Sequence, residues 1–320
     1  MIYKRIKIPK RIITKFIFLV FLLSIFFNIE ANVITSIRPL GFIASAITHN
    51  ITDVEILLPD TVSPHHYFLK PSDLKKIKKA DLFIWIGPDM ESFLRKLLVN
   101  FPNEKKITLM EESAIKKFLL KSNNIALLKN KSVYNNGNFY FSEDNIHSTY
   151  NVHIWLSPDI ARITAKIIYD RLIILYPTYQ NQLDLNLNKF YSELTQTDKY
   201  IAKMLKSVVD KEYFVFHDAY NYFEKHYHLS SLGYFTINPI IQPGAKKLYK
   251  IRRILTQKNA MCIFIEPQFK ANVITTAIKG IDIKMGILDP LGSSIALNKN
   301  SYVEFLKVLS HQFKNCLDKN

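Results

Sequence analysis

WLSPDIARITAKIIYDRLIILYP, residues 155–177, reads as one unbroken helix with a similar pattern of segments on either side of it. Ser157 is a good N-cap, Pro158 suits the first helical position, and Asp159 favours the positive end of the helix dipole. Pro177 ends the run. A helix of about twenty residues spans roughly 30 Å, so the segment predicts a rigid connection over 157–177 with limited movement between its flanks. A second long helical stretch, from about Gln180 to Ser207, belongs to the part that follows.

Upstream, short β-branched runs alternate with amphipathic stretches. VITSI (33–37), VEILL (54–58), LFIWI (82–86) and KITL (106–109) read as strands, and PLGFIASAITHN, PSDLKKIKKA and DMESFLRKLLVN read as the helices between them. Downstream, YFVFH (213–217), GYFTI (233–237), CIFIE (262–266) and MGIL (285–288) repeat the pattern, with helices opening near Asp218, Gly244 and Ser301. Near-continuous apolar strands separated by helices imply parallel sheets covered on both faces. The expected fold is therefore α/β, with two lobes, each a mainly parallel four-stranded sheet flanked by helices, bridged by one long rigid helix. The lobes are expected at 32–156 and 178–320. A chain of 320 residues suits two domains at roughly 150 residues each. Residues 121–150, rich in Asn, Ser, Lys and Tyr with no apolar period, read as a mobile surface loop.

The opening residues stand outside this scheme. Lys4, Arg5, Lys7, Lys10, Arg11 and Lys15 precede the apolar run FIFLVFLLSIFF, Phe16 to Phe27. That run is shorter than the roughly 20 residues a spanning helix needs. With Ala31 close behind, 1–31 reads as a cleavable secretory signal peptide, set against an N-terminal membrane anchor. No cysteine lies nearby, so a lipoprotein is excluded and a periplasmic location is expected.

Export revises the charge. The chain has 43 basic and 27 acidic residues, +16 in all, which by itself suggests an anionic partner. Six of those basic residues and one acid lie in 1–31, so the remainder carries +11. No basic stripe interleaved with aromatics is present, and nucleic acid is not an expected partner. The densest cluster, Lys246, Lys247, Lys250, Arg252 and Arg253, reads as a solvated helix face. The glycines, 8 in all, and the absence of GxGxxG argue against phosphate loops. Cys262 and Cys316 are the two cysteines; in an oxidising compartment a single disulfide is expected over two free thiols.

Of nine histidines, three stand next to or beyond strand C-termini or at the start of the connecting helix: His65, His153 and His217. In open α/β sheets ligands bind beyond the strand C-termini. Two facing lobes would bring these imidazoles together, and imidazole suits Zn²⁺. The spacing alone is a weak signal and leaves surface or capping roles open. His226 and His228 read as solvated residues of a helix end, and His49 and His311 as helix-face residues.

Taken together, TSIRPLGFIASAI, LLPDTVSPHHYFLKPSD, ADLFIWIGPDMESF, HIWLSPDIAR, YFVFHDAYNYFEK, IQPGA, EPQF and LDPLG resemble the ZnuA family, the periplasmic zinc-binding receptors of high-affinity ABC importers. The likeness runs from about Val33 to Leu317. It implies two lobes about a rigid helix, one Zn²⁺ per chain in the cleft, and zinc ligation by His65, His153 and His217. It also implies a Cys262–Cys316 disulfide, delivery to a membrane permease, and a monomer that is not an enzyme. Asp289 matches a position that supplies an acidic ligand in some relatives. Two departures stand out: Pro64 replaces a glutamate found just before the first histidine, and the 121–150 loop retains only His147 of a histidine-rich tract. The alternatives are a manganese or iron receptor of the same family and a zinc hydrolase using Asp218 or Asp289 as general base. Zinc binding is expected to weaken as the pH falls toward the imidazole value of about 6.5.

Overall fold

The computed structural model describes residues 32–60, 62–122, 149–236, 239, 243–257, 260–269 and 272–318. The leader assigned to 1–31, and residues 123–148 of the loop with His147, lie outside them. The first half runs β1 (Val33–Thr35), α1 (Arg38–Ile47), β2 (Val54–Ile56), α2 (Pro71–Lys79), β3 (Leu82–Trp85), α3 (Arg95–Val99), β4 (Lys106–Thr108) and α4 (Ser113–Lys116). Two long helices follow, α5 (Pro158–Leu175) and α6 (Gln180–Leu205). The second half is β5 (Tyr213–His217), α7 (Asn221–Tyr227), β6 (Ser231–Thr236), α8 (Ala245–Gln257), β7 (Cys262–Ile265), α9 (Asn272–Ala277), β8 (Lys284–Ile287) and α10 (Ser301–Leu317).

Both sheets are parallel and share one topology. The first has the order β2-β1-β3-β4 and the second β6-β5-β7-β8. In each, the chain leaves the first strand to one side and returns to the other, so the strand order reverses between β1 and β3 and again between β5 and β7. Such a reversal opens a crevice beyond the strand C-termini.

Helix α5 starts as its sequence predicts: the Ser157 side chain accepts from the Ile160 amide, and Pro158 opens the helix. Ile160, Ala161, Thr164, Ala165, Ile168 and Leu172 recur at helical spacing and are buried. The connection is broader than one helix. Helix α5 packs on α1, and the longer α6 packs on α5, α1 and α10.

Strand period explains which way the second sheet looks. Tyr213 and Val215 of β5 join a core that is continuous with the first half, whereas Phe214 and Phe216 join a separate core under α8 and α9. His217 shares the parity of Tyr213 and Val215, so its side chain faces the first half. Cys262 and Phe264 of β7 belong to that same face. A disulfide ties Cys262 to Cys316 of α10 across 6.0 Å between Cα atoms. Closing a loop of 54 residues stabilises the fold by about 4 kcal/mol in the chain-entropy account.

Polar contacts also bind the two halves. Arg38 forms an ion pair with Asp60 and donates to the carbonyls of Gly292 and Ile295. Trp155 Nε1 donates to the Pro290 carbonyl, and the Tyr302 hydroxyl donates to that of Trp155.

Candidate metal centre

The three histidines singled out by position come together. His153 Nε2 lies 3.2 Å from His65 Nε2 and 3.1 Å from His217 Nε2. The three rings present ligand nitrogens within 4.8 Å of one another, and they are the one such group among the described residues. Each arrives from a different element. His217 is the last residue of β5, His153 precedes the 3₁₀ turn Ile154–Leu156 leading into α5, and His65 lies in the connection from β2 to α2.

Two of the rings are held through their other nitrogen. His217 Nδ1 meets Glu266 Oε1 at 2.6 Å, with both residues almost fully buried. The contact follows from the register: Tyr213 pairs with Cys262 and Phe214 with Ile263, and four residues further along each strand stand His217 and Glu266. His153 Nδ1 donates to Asn151 Oδ1 at 2.8 Å. A carboxylate or amide oxygen on Nδ1 places the proton there and leaves the Nε2 lone pair for a cation.

The enclosing pocket holds about 10 Å³ of free space, room for one ion or water. Met90, Trp155, Phe269, Pro290 and Leu291 are among its lining residues, so the rings converge in largely apolar surroundings. Burial, then the His217 ring, pull His65 down to about 3. Burial, then His217 and His65, hold His153 well below the ordinary imidazole value. Metal-free His65 and His153 therefore stay neutral well below pH 6.5, and proton competition at these two rings begins at lower pH than the free imidazole value suggests.

Asp289 is not brought to this group. Its Oδ1 accepts from Gln268 Nε2 at 2.9 Å and the Leu291 amide at 3.1 Å, and its Oδ2 accepts from the Ser293 amide and hydroxyl at 2.6 and 2.5 Å. The DPLGS sequence is a turn that uses up the carboxylate. Pro64 lines the pocket and offers no ligand atom. Nothing in their own segments marks Glu266 and Asn151 as parts of the site, although the matching ends of YFVFH and CIFIE carry the signal for Glu266. His226 is also more than a solvated residue: its Nδ1 and Nε2 meet Asp159 at 3.2 Å and Asp198 at 2.8 Å. Burial opposes its charge, but the two carboxylates outweigh that and raise its pKa.

A family-wide sequence profile described as ZnuA, zinc-uptake complex component A periplasmic, matches residues 33–316. The high-affinity zinc uptake system protein ZnuA of Yersinia pestis is 48% identical over 295 residues, covering 91% of this chain and 93% of that protein. Its counterpart of the same name in Haemophilus ducreyi is 40% identical, over 90% of this chain and 94% of its own length. A crystal structure of ZnuA superposes with a TM-score of 0.73 at 22% identity, covering 90% of this chain and 100% of that one. The periplasmic zinc binding protein TroA from Treponema pallidum gives 0.75 at 16% identity, covering 91% of this chain and 100% of its own. The two solved structures speak for the fold. The profile, over residues 33–316, and the sequence relatives, over about nine-tenths of the chain, go further: this chain belongs to the ZnuA family, whose members are transport receptors.

Proposed function

We propose that this protein is a periplasmic receptor that takes up one Zn²⁺ per chain on His65, His153 and His217 and delivers it, as a monomer, to the membrane permease of an ABC importer. One observation carries the reading: three imidazole Nε2 atoms, two of them fixed as acceptors, crowd to 3.1 and 3.2 Å in a buried pocket. Lone pairs facing each other at that distance repel unless a cation lies between them. With zinc–nitrogen bonds of about 2.0–2.1 Å, the edge of a tetrahedral site is about 3.3 Å, close to the spacing found. The zinc uptake relatives supply the cargo and the partner. The leader at 1–31 supplies the route to the periplasm, with lobes at 32–156 and 178–320 about a connection at 157–177.

A binding site and not a catalytic one is favoured because the nearby carboxylates of Glu266 and Asp289 are engaged by His217 and by a turn. The test is His217→Ala. Loss of tight zinc binding in a competition titration, with the fold intact by circular dichroism, is the expected result; unchanged affinity would sink the reading.

A further inference from the structure

Given the zinc-receptor reading above, one amide accounts for how the site is built before an ion arrives. Asn151 is buried and uses every hydrogen bond its side chain can make. Oδ1 accepts from the His153 amide at 3.0 Å and from His153 Nδ1 at 2.8 Å. Nδ2 donates to the Asp218 carbonyl at 2.8 Å and to Asn221 Oδ1 at 3.2 Å. The orientation of the amide is fixed without reference to the ring: a backbone N–H can only donate and a backbone carbonyl can only accept. The backbone of Asn151 is tied as well, its amide to the Leu120 carbonyl and its own carbonyl to the Tyr222 hydroxyl.

Asp218 directly follows His217. Asn151 therefore joins the residue carrying one imidazole to the turn carrying another, across the boundary between the halves. His65 has no comparable support. Its other ring nitrogen has no hydrogen-bond partner among the described residues, it is partly exposed, and its connection from β2 to α2 has neither strand nor helix. Beside it opens a second cavity of about 390 Å³, lined by His65, His66, Phe68 and Phe93 among others.

We propose that Asn151 is the positioning residue of the site: it builds His153 and His217 into a fixed two-nitrogen platform before metal arrives and leaves His65 as the ligand that closes over the ion. Loading and release then proceed by movement of His65, with the platform unchanged.

Nitrogen-15 NMR of the metal-free protein at about pH 8, above the imidazole range, reads the platform directly. The expected spectrum shows His153 and His217 each locked with the proton on Nδ1 and His65 averaging between tautomers. Averaging at His153 or His217 would overturn the proposal, whether or not the protein binds zinc. Backbone amide exchange with and without zinc reads the closure. Zinc is expected to slow exchange in 62–70 and leave 151–157 and 213–221 unchanged; equal slowing in all three would overturn it.

Asn151→Ala should lower zinc affinity by roughly 10–100-fold, as loss of a partner behind a metal ligand does, and release the His153 tautomer. Asn151→Asp keeps the acceptor and should restore that tautomer while freeing the Asp218 turn. Wild-type affinity in Asn151→Ala would refute the assignment. Failure of the wild-type protein to bind zinc at all would refute the receptor reading, while the metal-free spectrum still judges the platform.

Discussion

The two sheets have the same strand order, and each places a buried glutamate where that order reverses, yet the glutamates serve opposite ends. Beyond β1 and β3, Glu91 is fully buried and receives the Ser36 hydroxyl at 2.5 Å, the Gly87 amide at 3.0 Å and the Ile86 amide at 3.3 Å. Every donor comes from the loops it seals. Beyond β5 and β7, Glu266 spends one oxygen on an imidazole whose far nitrogen points into a pocket. The first crevice is closed by its own carboxylate, and the second uses its carboxylate to aim an imidazole outward. A repeated fold thus supplies two equivalent crevices, and the side chain at the end of one central strand, Ser36 after β1 or His217 in β5, sets whether the crevice is sealed by a hydroxyl–carboxylate pair or presents an imidazole.

The largest effect should separate the two acids by zinc affinity. Glu266→Ala is expected to weaken binding by about 10–100-fold, because His217 loses the partner that fixes its tautomer. Glu91→Ala should leave zinc affinity unchanged in the same competition titration. Equal losses in both would break the comparison.

Stability should show the reverse order. Glu91→Ala strands buried donors, each costing about 1–3 kcal/mol, and chemical denaturation should register at least that loss. Burial pushes the Glu91 carboxyl up to about 7, against the hydrogen bonds from Ser36, Gly87 and Ile86 that pull it down. A carboxyl raised on folding contributes most below its unfolded value of 4.5 and loses that contribution as the pH rises through about 7. Wild-type protein should therefore lose stability relative to Glu91→Gln between those values, and parallel curves for the two proteins would remove the premise.

The smallest effect is acid sensitivity of the imidazole crevice. His65 and His153 are held below 6.5, so protons bind the unfolded chain first, and the zinc-free protein should lose stability as the pH falls from 6.5 toward 3. Saturating zinc should raise stability across that range without moving the onset, which the unfolded chain sets near 6.5, as thermal melts with and without the ion would show.

Much of this was legible in the sequence. The eight described strands begin within two residues of the expected positions, because each carries a short run of apolar or β-branched residues that needs no tertiary information, whether buried throughout, as β1, β3 and β5 are, or largely exposed, as β8 is. His65, His153 and His217 were marked by lying near strand ends and confirmed as a cluster only by the fold. Glu266 needed the β5–β7 register, which no single segment contains. Asn151 needed the meeting of segments more than sixty residues apart, since half of its partners lie at 218 and 221. Asp289 stands apart from the imidazole cluster because its carboxylate anchors a turn, and an aspartate before Pro–Leu–Gly reads the same in sequence whether it serves as a ligand or as such an anchor. His226 was read from its own helix, whereas its partners stand on α5 and α6.

The apolar walls around the imidazoles bear on time as much as on affinity. An exposed zinc ion leaves its ligands one at a time, with water filling each vacated place. Among Met90, Trp155, Phe269, Pro290 and Leu291, with room for a single small particle, that stepwise substitution can draw on water only from the side where His65 lines the larger cavity. On the proposed function, the residence time of the ion is then set by how often the protein opens and not by bond strength, so two receptors of equal affinity could differ widely in the rate at which they feed a transporter.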